Sequence, residues 1–340
     1  MHKKKGIIFR ADGNSKIGLG HVYRLFSLVE TVKQEYDFFF LTKEESTTSI
    51  VPHDYNLKII PKHIGLDDEP SWLQANFPSG EFIVIADGYQ FTTSYQKAIK
   101  KVGYKLIYID DLAIEHFFAD LVINHSPQVS VKDFRTEKYT NLALGTDFAL
   151  LRPKFLEYAK KPPTLKPLDK AFVNFGGSDM FGLTHTSVKA LLEIDQIKEI
   201  HIVLGAANLN ESLYALQEKF SSKILIHKNL SEIELIKVMK TCSFAIVPTS
   251  TILFELFCVK MPIISGYFVD NQAEAFKSFK KRNLVFGIDK NLKELTQNKL
   301  RVLIKKLIDV PNHLEVLKNQ HKMIDGKQSL RHLKLIKQFT

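Results

Sequence analysis

The 340-residue sequence has only two cysteines, and they form no Cys-x-x-Cys pair. Cys242 and Cys258 lie in apolar surroundings, which predicts structural thiols in a reducing compartment and argues against a disulfide framework. The twelve histidines are scattered, without a His-x-x-x-His or Cys-His grouping, so the sequence supports no metal site. No apolar run approaches the roughly 18 residues of a membrane helix, and the apolar run after the basic N-terminus is too short for a signal peptide. We therefore expect a cytoplasmic protein without membrane insertion.

The 47 Lys and Arg residues exceed the 37 Asp and Glu residues, giving a net charge of +10. These basic residues are spread along the chain and are not gathered into one arm or helix with interleaved aromatics, so we expect no nucleic-acid partner. A basic protein that binds an anionic metabolite fits the same charge. The hydrophobic fraction of 45% and the charged fraction of 25% exclude a disordered or fibrous chain.

Short apolar runs alternate with helical patterns along the whole chain, which is typical of parallel α/β sheets. At roughly 150 residues per domain the length indicates two domains, and the proline- and lysine-rich stretch 153–168 is the best linker candidate. We predict an α/β fold of two Rossmann-like, doubly wound domains facing a central cleft, where the carboxyl ends of their strands would meet a ligand. The predicted parts are an N-terminal domain 1–152, the linker 153–168, a C-terminal domain 169–320 and a C-terminal helix 321–340.

The glycine-rich segment Arg10–His21 carries the strongest chemical signal, because a strand runs through it directly into a helix. Gly18 and Gly20 let the backbone turn tightly and approach a ligand, while the helix start offers unpaired N–H groups. The segment is not the dinucleotide pattern, since Tyr23 stands where Gly-x-Gly-x-x-Gly needs glycine, and no Gly-Lys-Ser/Thr follows as in a P-loop. The helix dipole favours a neutral, proton-accepting imidazole at His21; local capping or packing is its alternative role.

Acidic residues end two later strands. Asp87-Gly88-Tyr89 follows the predicted strand Phe82–Ala86, where a carboxylate can orient a histidine or a sugar hydroxyl; an ordinary Asp-Gly turn is the alternative. Asp110-Asp111 ends the next strand, and at most one of this pair faces the ligand, because neighbours on an extended strand point to opposite faces.

Two helix starts in the second half are expected to receive an anion. Gly176-Gly177-Ser178-Asp179 ends a strand and precedes a helix, and Pro248-Thr249-Ser250-Thr251 opens another helix with outward hydroxyls. Each alone is explained by an ordinary N-cap. Together with Glu255, one turn inside the second helix and placed to accept hydrogen bonds from ribose hydroxyls, they indicate a nucleoside diphosphate. Asn271-Gln272 opens the next helix and faces the same ligand in this interpretation.

In this order, these segments resemble the UDP-2,4-diacetamido-2,4,6-trideoxy-β-L-altropyranose hydrolases of pseudaminic acid biosynthesis. Gly18-Leu19-Gly20-His21, with Arg24 three positions on, is the most specific part of a similarity that runs over about residues 6–285. The resemblance implies a GT-B glycosyltransferase-like fold, related to the enzyme that adds N-acetylglucosamine to a lipid-linked cell-wall precursor. Gly88 departs from the family, which often has histidine there. Further matching segments are Ile109–Asp111, Ala119–Asn124, Leu144-Gly145, Leu151–Pro153, Phe175–Asp179, Thr249–Glu255 and Asn271-Gln272.

The resemblance also implies roles for single residues. His21 would be the general base, Tyr89 would support it, UDP would lie against Gly177, Ser250 and Glu255, and Asn271 would lie near the diphosphate or the sugar. Beside these we predict Asp87 as a further catalytic residue that orients His21 or a sugar hydroxyl. The full set of predicted substrate-binding residues is Asp12, Gly18, Gly20, Arg24 and Asn271. The full set of predicted UDP-binding residues is Gly176, Gly177, Ser178, Thr249, Ser250, Thr251 and Glu255. No metal or other cofactor is implied.

The implied reaction is the attack of water on the anomeric carbon of a UDP-sugar, with inversion and release of UDP. The expected protein is a monomer whose partner is this small-molecule substrate. Two alternatives stay open: a glycosyltransferase that uses a hydroxyl acceptor in place of water, and a non-catalytic protein that binds a nucleotide sugar.

Overall fold

The computed structural model describes residues 5–14, 16–176, 179, 181–205, 211–288, 291–310 and 313–340, apart from the side chain of Asn271. Helices and strands alternate along these residues, as the sequence predicts. In chain order the elements are β1 (Gly6–Ala11), α1 (Gly20–Val32), β2 (Phe38–Lys43), β3 (Leu57–Ile60), α2 (Glu69–Asn76), β4 (Phe82–Asp87), α3 (Thr93–Lys101), β5 (Leu106–Ile109), β6 (His116–Phe117), β7 (Leu121–Asn124), β8 (Arg135–Thr136), β9 (Asn141–Leu144), α4 (Pro153–Ala159), β10 (Lys170–Val173), α5 (Leu183–Leu192), β11 (Glu199–Leu204), α6 (Glu211–Lys219), β12 (Ile224–Lys228), α7 (Glu232–Thr241), β13 (Phe244–Pro248), α8 (Thr251–Val259), β14 (Ile263–Gly266), α9 (Asp270–Lys281), β15 (Phe286–Gly287), α10 (Gln297–Asp309), α11 (Leu314–Met323) and α12 (Gln328–Ile336).

The chain divides into two compact units. Unit 1 consists of the residues up to Pro153 together with Lys327–Thr340, and unit 2 consists of Lys154–Gly326. The stretch 153–168, expected to be a linker, begins with the helix α4. The stretch 321–340, expected to form a separate C-terminal helix, contains the end of α11 and the helix α12, and its residues from Lys327 onward belong to unit 1.

Unit 1 is built on a seven-stranded parallel sheet in the order β3-β2-β1-β4-β5-β7-β9. Its central strands are apolar along their length because helices cover both faces. Ile7 and Phe9 of β1 pack in one buried cluster, and Ile8 packs in the other. Strands β2 and β3 follow β1 on one side of the sheet, whereas β5, β7 and β9 follow β4 on the other side. The strand order therefore reverses between β1 and β4. Ligands of such sheets bind beside this reversal, at the carboxyl ends of the strands.

Unit 2 repeats the design with a six-stranded parallel sheet in the order β12-β11-β10-β13-β14-β15. Its strand order reverses between β10 and β13. The predicted α/β class, with a parallel sheet in each half, is confirmed. Both cysteines are fully buried and unpaired, as the sequence predicts, and burial raises the pKa of Cys242 to about 12.

The final helix α12 packs against α1. Ile336 is fully buried in the same cluster as Val22 and Leu25 of α1, and Thr31 Oγ1 donates a hydrogen bond to Ser329 Oγ over 3.2 Å. The end of the chain therefore helps to fix the helix that carries His21. Among the described residues, the structure has no helix with the length and hydropathy needed to cross a membrane.

Candidate active site

Four ionisable residues of unit 1 lie close together at the sheet edge where the strand order reverses. His21 follows β1 through the glycine-rich loop, Asp87 is the last residue of β4, Asp111 lies two residues beyond β5, and His125 directly follows β7. The strands β1, β4, β5 and β7 are neighbours in this order. Parallel neighbours end at the same edge of a sheet, so residues far apart in sequence meet there.

The glycine-rich loop is shaped by Asn14 and Gly18. Asn14 Oδ1 accepts hydrogen bonds from the backbone N–H groups of Lys16 and Ile17, over 2.9 and 3.1 Å, and the Asn14 carbonyl accepts one from Gly18 N over 2.8 Å. Gly18 has φ +83°, which a residue with a Cβ adopts only under strain. A Cβ at Gly18 or Gly20 would have no atom within 4 Å, so the backbone here is open to a ligand, as the sequence analysis expects.

His21 is 9% exposed and lies in the first turn of α1. Its Nδ1 is 2.7 Å from Asp87 Oδ1 and 2.8 Å from Arg24 Nη2. A carboxylate oxygen only accepts and a guanidinium only donates, and Asp87 Oδ1 also accepts from Arg24 Nη2 over 2.6 Å. The arrangement is satisfied when Nδ1 carries a proton and donates to Asp87, since a lone pair on Nδ1 would face that oxygen. The neutral imidazole then has its lone pair on Nε2, ready to accept a proton.

Arg24 is a buried bridge between two carboxylates. Its Nε donates to Asp87 Oδ2 over 2.8 Å, its Nη2 donates to Asp87 Oδ1, and its Nη1 donates to Asp111 Oδ1. Only 6% of the residue is exposed. Arg24 is predicted from the sequence to bind substrate, whereas in this structure its donors bind Asp87 and Asp111.

Tyr89 contacts His21 at the surface of the protein. The two rings meet edge to face with centroids 4.7 Å apart, and Tyr89 is 53% exposed. Its hydroxyl donates to Asp111 Oδ2 over 3.1 Å. Burial of the hydroxyl and the charge of Asp111 raise the pKa of Tyr89, so the phenol keeps its proton at neutral pH.

Asp12 is held by internal partners. Its Oδ1 accepts from Arg10 Nη1 over 2.6 Å, from the backbone N–H of Lys43 over 2.8 Å and from Thr42 Oγ1 over 3.1 Å. Its Oδ2 accepts from Gln90 Nε2 over 3.1 Å. Burial opposes ionisation, but Arg10 and these donors lower the pKa of Asp12. Asp12 is expected to bind substrate, but in this structure its carboxylate is bound to residues of β1 and β2 and to Gln90.

In unit 2 the two expected anion-receptive helix starts differ. Asp179 Oδ1 and Oδ2 accept from the backbone N–H groups of Leu183 and Thr184, each over 2.9 Å. A carboxylate thus already occupies the start of α5, where a diphosphate was expected. Gly176, with φ +79°, is exposed in the loop before it. Gly177 and Ser178 lie outside the described residues.

The start of α8 is open by comparison. Ser250 is the N-cap residue, and its side chain makes no capping hydrogen bond. Thr251 is exposed in the first turn, and Glu255 is partly buried one turn further on. Thr249 differs from the expectation of outward hydroxyls, because it is buried and its Oγ1 shares a hydrogen bond with Ser265 Oγ over 3.2 Å. Asn271 lies in the first turn of α9, and nothing is described of its side chain.

Two residues near His21 were missed by sequence reasoning as members of the site. Asp111 contacts Arg24 and Tyr89, while its neighbour Asp110 accepts from Asn124 Nδ2 over 2.7 Å. The two carboxylates therefore have different surroundings, as expected, although both residues lie beyond the end of β5 and not on the strand itself. His125 is buried, and this desolvation, with the charge of Arg24, lowers its pKa to about 4. Within the described ranges, no group of three or more His, Cys, Asp or Glu side chains is arranged to hold a metal ion.

Comparison with known proteins gives three relatives. An uncharacterized protein of Methanocaldococcus jannaschii is 25% identical over 283 residues, which are 80% of this chain and 57% of that protein. The chain thus spans little more than half the length of that relative. The spore coat polysaccharide biosynthesis protein SpsG of Bacillus subtilis is 24% identical over 94% of both chains. The UDP-2,4-diacetamido-2,4,6-trideoxy-β-L-altropyranose hydrolase of Campylobacter jejuni is 24% identical over 78% of this chain and 93% of that protein. The resemblance to the altropyranose hydrolases is confirmed.

Solved structures agree along nearly the whole chain. MurG of Acinetobacter baumannii has a TM-score of 0.67 at 13% identity and covers 98% of this chain, with 99% of its own length matched. Os79 from O. sativa has a TM-score of 0.71 at 9% identity, with 98% and 100% covered. HepE of Anabaena, solved with UDP, has a TM-score of 0.61 at 12% identity, with 98% of each chain covered. The chain has the GT-B glycosyltransferase fold. No family model matches this GT-B chain.

Proposed function

We propose that this GT-B chain is a hydrolase that releases UDP from UDP-2,4-diacetamido-2,4,6-trideoxy-β-L-altropyranose or a close relative of that nucleotide sugar. The observation that carries the proposal is the hydrogen bond between His21 Nδ1 and Asp87, because it leaves Nε2 of a neutral imidazole as a proton acceptor. The Campylobacter jejuni relative, which bears the name of this activity, supports the choice of substrate.

In the proposed mechanism His21 Nε2 takes a proton from water as the water oxygen bonds to the anomeric carbon. The bond between that carbon and the phosphate oxygen breaks, both of its electrons leave with UDP, and the configuration inverts. Asp87 holds the ring in one tautomer and stabilises the imidazolium, as the carboxylate does in a His-Asp pair. The diphosphate leaves as an anion, so no general acid is required, in contrast to glycosidases that work with two carboxylates.

UDP is proposed to bind unit 2 through the start of α8. The unsatisfied N–H groups and positive dipole end of a helix attract phosphate oxygens. Ser250 and Thr251 add hydroxyls at this point, and Glu255 is the proposed acceptor for ribose hydroxyls. The loop after β10 and the start of α8 flank the reversal of strand order in the second sheet, which favours this position over others in the unit.

The alternative is a glycosyltransferase that uses the same base on the hydroxyl of an acceptor. It is supported by solved structures with the same fold, among them a UDP-glucosyltransferase from Polygonum tinctorium and the calicheamicin glycosyltransferase CalG4. The two proposals differ in one respect, since only the hydrolase turns over without an acceptor.

The deciding experiment is proton NMR of purified protein with candidate UDP-sugars and no acceptor. We expect UDP and free sugar to appear in equal amounts, with the first-formed anomer inverted relative to the substrate. Release that begins only after an acceptor is added would establish the transferase. Tight UDP binding without any turnover would establish the non-catalytic binding protein.

A charge placed at the start of α8 tests the proposed UDP site. We expect Ser250→Asp to raise the Kd for UDP roughly tenfold, because the new carboxylate satisfies the N–H groups and repels phosphate. Isothermal titration calorimetry measures this Kd. Thr296→Asp is the matched control, since Thr296 is the N-cap residue of α10, where its side chain accepts from Lys299 N over 3.3 Å. Equal Kd values for both variants would remove α8 from the proposed site.

A further inference from the structure

The charges around His21 do not balance while its ring is neutral. The ionisable groups around His21 and its partners are Arg24 on the same helix, Asp87 and Tyr89 from the end of β4, Asp111 from the end of β5, and His125 from the end of β7, which interacts with Arg24, Asp87 and Asp111. Tyr89 and His125 are uncharged at neutral pH, as their pKa directions show. Burial opposes ionisation of Asp111, but chiefly the charge of Arg24 lowers its pKa below the ordinary value. One cation therefore stands beside two anions.

Asp87 stabilises the imidazolium directly, but it does not complete the balance alone. Both of its oxygens also accept from Arg24, so that guanidinium compensates much of its negative charge. Asp111 is the second anion, and its contact with Arg24 runs through one oxygen only, while the other accepts from Tyr89. When His21 gains a proton, the cluster becomes neutral.

Because of where His21 lies, the net charge of this cluster affects whether its ring can take up a proton. The ring lies in the first turn of α1, where the positive end of the helix dipole disfavours an imidazolium. It is also largely withdrawn from water, so charges nearby act on it with little screening. A proton-accepting histidine at this position needs a negative charge beyond the one that Arg24 neutralises.

We infer that Asp111 is a positioning residue that supplies the counter-charge for protonated His21, acting through Arg24. The inference rests on the proposed function, since it gives a reason why His21 can act as the base of that reaction. Arg24 lies between the carboxylates of Asp87 and Asp111 and binds both, and Asp111 orients the Tyr89 hydroxyl. Asp111 itself touches neither water nor sugar in the reaction.

The test compares Asp111→Asn, Asp111→Glu and Tyr89→Phe. In Asp111→Asn we expect kcat to fall roughly tenfold with KM nearly unchanged, and the acid limb of the pH–rate profile to move down by roughly one pH unit, the scale of a lost opposite charge at this range. Asp111→Glu keeps the charge and should restore the limb. Tyr89→Phe removes only the hydroxyl contact and should leave the limb in place. Asp147→Asn, which removes a carboxylate that is 67% exposed elsewhere in unit 1, is the control.

A second readout does not depend on activity. Protein labelled with ¹³C-histidine, with the His21 signal assigned by its loss in His21→Gln, reports the pH at which His21 gains its proton. We expect that pH to fall by roughly one unit in Asp111→Asn. An unchanged titration in a folded Asp111→Asn protein would overturn the inference. If the wild-type protein releases no UDP from any UDP-sugar, the proposed function fails, and the titration still decides the role of Asp111.

Discussion

His21→Ala is expected to lower kcat for UDP release by about 10²–10⁴-fold, the usual contribution of a general base. The variant removes the imidazole whose Nδ1 is bound to Asp87 and whose Nε2 is therefore left to accept a proton. UDP is proposed to bind unit 2, so its Kd should not change. Steady-state kinetics by UDP release and calorimetry with UDP measure the two quantities separately.

His21→Gln gives the same prediction with less loss of volume, because glutamine keeps a polar side chain but is not a base at neutral pH. His63→Ala is the matched control, since His63 is exposed in unit 1 beyond β3. Near-full activity of His21→Ala would end the assignment of this histidine as the base. A large rise in the Kd for UDP would show instead that the variant disturbs binding.

Glu69→Ala is expected to destabilise unit 1 by about 3–5 kcal/mol, the cost of leaving one partner of a buried ion pair alone. Arg10 is fully buried, and it donates to Glu69 from Nε over 2.7 Å and from Nη2 over 3.1 Å. Tyr95 also donates its hydroxyl to Glu69 Oε1 over 2.7 Å. The substitution leaves this hydroxyl without its acceptor and the guanidinium with Asp12 as its remaining carboxylate partner.

Trp72 makes this loss measurable within unit 1. It is the only tryptophan of the chain and lies in α2, the helix that begins at Glu69. Urea unfolding followed by its fluorescence gives the free energy of unfolding of the surrounding structure. Asp67→Ala, which removes an exposed carboxylate two residues earlier, should leave the urea midpoint in place. A midpoint for Glu69→Ala equal to that of the control would show that the ion pair contributes nothing net.

Much of the fold follows from local patterns. The predicted strand Phe82–Ala86 agrees with β4 to within a residue, because parallel strands covered on both faces need such apolar runs. The stretch after Leu151 shows what the pattern leaves out. Its prolines suggest a linker, and the chain passes from unit 1 to unit 2 after Pro153. The stretch nevertheless begins with a helix, since a proline at the first helical position has no N–H to lose.

From the sequence, only the site residues that lie at the ends of strands could be predicted to come together. His21 and Asp87 follow strands that are neighbours in the sheet, so their meeting follows from the fold. The partners of Asp12, Arg24 and Thr249 come from other strands and depend on side-chain directions that no spacing in the sequence gives. Gly88, the departure from the hydrolase family, likewise needs the structure: a Cβ there would collide with the side-chain amide of Gln90.

The return of the last fourteen residues, Lys327–Thr340, to unit 1 has a consequence for biogenesis. The polypeptide passes from unit 1 to unit 2 after Pro153 and comes back after Gly326, so unit 1 is not one continuous stretch of chain. On the ribosome, unit 2 has all of its residues before unit 1 does. The helix with His21 waits for its packing partner until α12 is synthesised, after all of unit 2, and only then is the surface that α12 covers removed from water.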